Sequence, residues 1–257
     1  MKLSKYRLLL KKEWDSNRWK VLIVSFFLLI TATTMVFQYP MVQRTMELGI
    51  LDQLPAWMTS GMEQHLNFNY YLADGWFDGS LAQYGTLLAV LLGMGVIGSE
   101  FQDKTLPFLL ARPIGRTELF KVKIGFQIFI MALFAMILTT YLGLLTSFQG
   151  RDIYLIRFIV ALIPLGLKLL VAYLLAVNIS LLLKDQIKSG IFSLAIIIAF
   201  WVASNLTPFY NIFYYNWANM AEFYVNGGFP VVGTALLIIL NTGLYGLALS
   251  RFNKIDI

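Results

Sequence analysis

Long apolar runs separated by charged intervals dominate the chain. Six stretches are nearly free of charge: residues 21–37, 81–99, 124–148, 158–183, 189–206 and 230–249. A helix needs about 20 mostly apolar residues to cross roughly 30 Å of hydrocarbon. The runs are continuous rather than alternating, which predicts helices and not the strands of a barrel. The third and fourth are long enough to tilt or to contain an interfacial turn.

Composition agrees with a bilayer as solvent. Hydrophobic residues make up 58% of the 257 and charged residues 13%, about half the ~25% usual for soluble domains. The expected architecture is an all-α membrane protein with six transmembrane helices, one transmembrane unit over residues 1–257. The first run follows twenty residues rich in Lys and Arg and lacks a small-residue cleavage site, so it reads as a retained span rather than a signal peptide. The absence of Cys removes disulfides, thiol catalysis and Cys-ligated metal. The single histidine, His65, cannot build a His-based metal site alone, and it reads as a solvated loop residue.

Charge sets orientation. Segments 1–20, 100–123, 184–188 and 250–257 hold sixteen of the 20 basic residues, whereas 38–80, 149–157 and 207–229 hold Arg44, Arg151 and Arg157. Acidic residues divide evenly, seven to a side, leaving one side at +9 and the other at −4. The positive-inside rule puts both termini in the cytoplasm, as an even number of spans requires. The net charge of +6 therefore marks an inner surface facing anionic lipid, and nucleic acid is not an expected partner.

Three polar segments stand out. In residues 1–20, Leu3, Tyr6, Leu10 and Trp14 recur at near-helical spacing among Lys11, Lys12 and other cations. This predicts an amphipathic helix lying in the inner interface. Residues 38–80 read as an outer loop. Residues 207–229 are rich in aromatics and Asn and carry one charge, Glu222. They suit interfacial anchoring, a short outer helix or a re-entrant turn.

Residues 93–98 spell G-x-G-x-x-G. A dinucleotide site needs this motif between a strand and a helix N-terminus, but here it ends an unbroken apolar run. Small residues in a membrane helix let a neighbour approach closely, and that is the expected role of Gly93, Gly95 and Gly98, with Gly95 and Ser99 as a small-xxx-small pair.

The motif runs into SEFQDKTLPFLLARPIGRTELFKVK. Ser99 is placed to cap a short helix, with Glu100 and Asp103 near its positive end. Phe101, Leu106, Leu109 and Leu110 supply apolar side chains, and Pro107 and Pro113 punctuate the segment. A linker lying on lipid and a short element seated in a soluble partner's groove both fit this pattern.

This segment resembles the cytoplasmic loop between the second and third spans of type-2 ABC exporter permeases. The matching residues are Glu100, Asp103, Lys104, Thr105, Leu106, Leu109, Leu110, Pro113, Ile114, Arg116 and Lys123. Family members often carry Gly before the Thr, where this chain has Lys104, and Pro107 is a second departure. The resemblance implies a multi-pass half-transporter of a bacterial cell membrane, with a cytoplasmic coupling helix between helices 2 and 3. Glu100, Asp103, Thr105, Leu106, Leu109, Leu110, Arg112, Pro113, Ile114 and Arg116 would dock an ABC ATPase, present in two copies. A second permease subunit, identical or related, would complete the pathway. No G-x-x-x-x-G-K-[ST] occurs, so ATP and Mg would be bound by the partner, and no enzyme activity is expected of this chain.

Polar groups within the runs include Thr31, Thr33, Thr34, Thr139, Thr140, Asn178, Ser204 and Asn205, which favours an amphiphilic cargo such as a peptide, antibiotic or lipid-like molecule. Lys168 lies inside the fourth run. It has three readings: snorkelling to the outer face, lining the pathway, or pairing with a partner. Glu222 is a gate candidate or an ordinary loop acid. Two competing classes are an intramembrane enzyme, whose catalytic His or acids the runs lack, and a regulatory or immunity protein that docks an ATPase without transport.

Overall fold

The computed structural model describes residues 2–48, 62–105, 115–204 and 214–255. Within them the secondary structure is helical: α1 (Lys2–Glu47), α2 (Phe68–Ala73), α3 (Leu81–Gln102), α4 (Arg116–Phe148), α5 (Leu155–Val160), α6 (Leu162–Leu183), α7 (Gln186–Ser204), α8 (Met220–Asn226) and α9 (Val231–Asn253). A π-helical turn, Asp74–Ser80, joins α2 to α3. Six helical stretches are long and apolar enough to cross a bilayer: Tyr6–Thr45, Phe68–Gln102, Arg116–Phe148, Leu155–Leu183, Gln186–Ser204 and Val231–Asn253.

These helices outrun the apolar runs, for a physical reason. In hydrocarbon every backbone group must be bonded within its own segment, and nothing forces that ladder to stop where polar side chains begin. Two expectations are corrected by this. Residues 1–20 do not form a separate element, because α1 continues without a break into the first span. Residues 38–80 are not simply a loop: α1 extends to Glu47, and 68–80 is helical.

The core centres on α6, which packs most extensively against α3 and next against α9. The α3 glycines make the first contact close. A Cβ at Gly93 would sit 2.6 Å from the Tyr173 carbonyl oxygen and 2.9 Å from Ala176 Cβ, and one at Gly98 would sit 2.9 Å from Ser180 Oγ. Gly95 instead faces Lys20 Nζ at 3.0 Å. The G-x-G-x-x-G thus serves helix packing, two of its glycines toward α6 and one toward α1. Ser99 lies inside α3, where its hydroxyl bonds back to the Gly95 carbonyl. It therefore does not cap a new helix.

Long-range contacts sort the segments onto two ends. Lys12 reaches Glu100, Arg116 reaches the Ile255 carbonyl, and Lys184 lies over the Phe101 ring. The opposite end joins Tyr39 to Leu66, Asn69 to Tyr224, and Arg157 to Tyr224 and Val225. The basic segments of the sequence therefore meet at one end of the bundle.

Candidate functional site

After Leu9 the inward face of this part of α1 turns polar: Leu9, Glu13 and Asn17 are buried at four-residue spacing, and the half-buried Lys20 follows. The expected stripe points elsewhere. Trp14 is exposed, Tyr6 and Leu10 are half-buried, and Leu3 lies in α1 outside the residues whose side chains are described. Lys11 and Lys12 are exposed on the same turns. The Tyr6 hydroxyl meets the Glu118 carboxylate of α4.

From that inward face a continuous chain of bonds crosses four helices. Lys12 Nζ and Lys123 Nζ lie 2.8 and 2.9 Å from Glu100 Oε1. Lys123 also contacts Glu13 Oε1 at 3.0 Å. Gln127, one turn after Lys123, donates to Glu13 Oε2 at 3.1 Å and accepts from the Tyr173 hydroxyl of α6 at 3.0 Å. Glu13, Glu100, Lys123, Gln127 and Tyr173 are each no more than 5% exposed. Buried charges persist only when paired and hydrogen-bonded; the two buried carboxylates face one buried ammonium, Lys123, and the half-exposed Lys12 supplies the second. The balance fixes how α1, α3 and α4 sit against one another.

Glu100 also holds the root of the 106–114 segment. The Thr105 hydroxyl donates to its Oε2, and the Thr105 amide donates to its backbone carbonyl at 3.0 Å. The Lys104 amide donates to the Phe101 carbonyl at 3.2 Å, and Lys104 has φ +54°. These are the two bonds of a Schellman ending, with Lys104 in the left-handed position that glycine usually fills. Lys104 adopts this conformation with a side chain attached.

Of the docking residues expected from sequence, Glu100, Asp103, Thr105 and Arg116 are described. Glu100 turns inward. Asp103 is exposed at the C-cap of α3, and Arg116 is exposed and donates to the Ile255 carbonyl at 2.8 Å. Leu106, Leu109, Leu110, Arg112, Pro113 and Ile114, and with them the expected coupling helix, lie outside the described residues.

A second polar cluster occupies the other end. Lys168 Nζ, 7% exposed as a residue, donates to the Ala218 carbonyl at 2.5 Å and lies 3.4 Å from Asp78 Oδ1. Asp78 Oδ2 accepts from the Met220 and Ala221 amides at 2.9 and 3.0 Å. Lys168 is thus paired with Asp78 within the chain. It locks the π turn and the start of α8 to α6. Pro164 lies in the first turn of α6, where a missing amide hydrogen costs little. The π turn also buries Trp76, whose indole donates to Thr139 Oγ1 at 3.1 Å. Glu222 is exposed, with its amide capped by Asn219 Oδ1, and lines a cavity of about 590 Å³ with Gln64, Asn67 and Tyr70. Burial pushes the Tyr224 phenol up to about 12, so its hydroxyl stays a donor, to Asn69 Oδ1 at 3.3 Å.

Glu13, Gln127, Tyr173 and Asp78 were not singled out by sequence reading. A polar pair at i, i+4 opening an apolar run, Lys123 and Gln127, was the available signal.

A bundle of six apolar helices with buried ion networks at its two ends is a multi-pass membrane protein. The chain matches the family model described as ABC-2 family transporter protein over residues 8–257, and it belongs to that family. Comparison with curated proteins and with solved structures returns no match.

Proposed function

We propose that the chain is the permease subunit of an ATP-driven exporter, powered by a separate ATPase that binds ATP with its Mg²⁺. Two ATPase copies dock beneath two permease subunits, at the end where the basic segments meet, which faces the cytoplasm of a bacterial cell. The observation that carries this reading is the Glu100 network. The loop that resembles a docking segment is rooted on a carboxylate bonded to α1 and α4, so a displacement of the loop is transmitted to the spans. Nucleotide can drive transport only if it favours one arrangement of those spans over the other. The cargo is amphiphilic, in keeping with apolar span interiors relieved by scattered hydroxyl and amide groups.

The test replaces Leu106, Leu110 and Arg112 with Ala together and measures co-purification with a co-expressed ABC ATPase. Loss of association with retained folding supports the assignment. Unchanged association and unchanged ATP-dependent transport in vesicles would overturn it.

A further inference from the structure

A cleft between α3 and α7 opens beside the Asp78–Lys168 pair. It has two chambers that share Asp78, Ala82, Thr86 and Trp201. The first, about 300 Å³, is lined by Asp74, Asp78, Lys168, Ser204, Asn216 and Asn219 among others. The second, about 350 Å³, is walled by Leu87, Leu194, Ile197, Ile198 and Trp201. Each falls in the size range of small-molecule sites, roughly 300–1,000 Å³, which pair a largely apolar wall with a few placed polar groups.

Charge decides the headgroup. The polar chamber holds two carboxylates and one ammonium. Asp78 and Lys168 largely satisfy each other, and Asp78 also takes two backbone amides. Asp74 remains. Its side chain is 42% exposed, and among the described residues its ion-pair contact is His65, at 3.1 Å. Glu222 stands at the rim, sharing a neighbouring cavity with Asn216 and Asn219. Two of the three arginines of this end are committed elsewhere: Arg151 stacks on Tyr39 and Phe68, and Arg157 donates to the Tyr224 and Val225 carbonyls, while Arg44 is exposed on α1. Two carboxylates against one ammonium leave the polar chamber formally negative, and it opens onto Trp201, which is half-exposed.

We propose that this cleft binds a cationic amphiphile, its ammonium received by Asp74 and its tail lying along Leu194, Ile198 and Trp201. The proposal rests on the permease reading and names the class of cargo for it. A lipid headgroup amine and a peptide lysine offer the same chemistry.

The experiment uses the full chain in lipid nanodiscs without ATPase, so its failure is separate from failure of the docking test. Three photoreactive decyl probes bearing a terminal diazirine are compared: a trimethylammonium, a sulfate and a glucoside. The expected result is labelling of 82–87 and 194–201 by the ammonium probe at least fivefold above the other two, falling at least fivefold in Asp74→Asn. The headgroup comparison in the unaltered chain needs no variant to fold. Phosphatidylethanolamine in the disc and a lysine-bearing amphipathic peptide then serve as competitors, and whichever displaces the probe names the source of the ammonium. Equal labelling by all three headgroups, full labelling of Asp74→Asn, or displacement by neither competitor overturns the proposal.

Discussion

Glu100→Gln keeps the shape of the side chain and removes its charge. Lys12 is half-exposed on its side chain, so it regains water when the carboxylate is lost. Lys123 cannot, because it is 1% exposed, and it falls from two carboxylate partners to Glu13 alone. Removing one partner of a buried ion pair costs about 3–5 kcal/mol. With Glu13 retained, the lower end applies, about 3 kcal/mol. Lys123→Met should cost more, because Glu13 is then left with Gln127 as its remaining partner in the network. The double variant should be less destabilised than the sum, with a coupling above about 1 kcal/mol. Equilibrium unfolding in micelles reads all three, and at about 2–4 °C per kcal/mol the Glu100→Gln melting temperature should fall by about 6–12 °C. A drop under about 2 °C, or strict additivity in the double variant, would show that the network does not hold α1, α3 and α4 together.

Lys104→Gly relieves a left-handed non-glycine residue and should raise stability by about 0.5–1 kcal/mol, the strain of the conformation less the added freedom of the unfolded chain; a lower melting temperature would refute the Schellman reading. Because the chain has no cysteine, sidedness can be read from single additions. Gln102→Cys should be protected from an impermeant maleimide in intact cells while Asn226→Cys is labelled, and the reverse pattern would remove the cytoplasmic assignment of the loop.

The sequence by itself determined the number of candidate spans and where their apolar centres fall. The hydrocarbon solvent imposes length and apolarity on each span locally, so runs such as 124–148 can be found without knowing what they touch. It also determined which segments share an end, because Lys and Arg are distributed segment by segment, and it showed that Gly93 and Gly98 belong to a packed helix rather than a phosphate loop. Tertiary structure alone decided the partners. Lys12 and Glu100 are 88 residues apart, and Lys168 and Asp78 are 90. A charge in a sequence carries no mark of which distant charge will neutralise it. Tertiary structure also decided that α1 turns Glu13 and Asn17 inward and leaves Trp14 outside. Hydropathy ranks a face by its affinity for lipid, whereas burial of a polar face depends on a complementary set, here Lys123, Gln127 and Tyr173, brought to it by other helices.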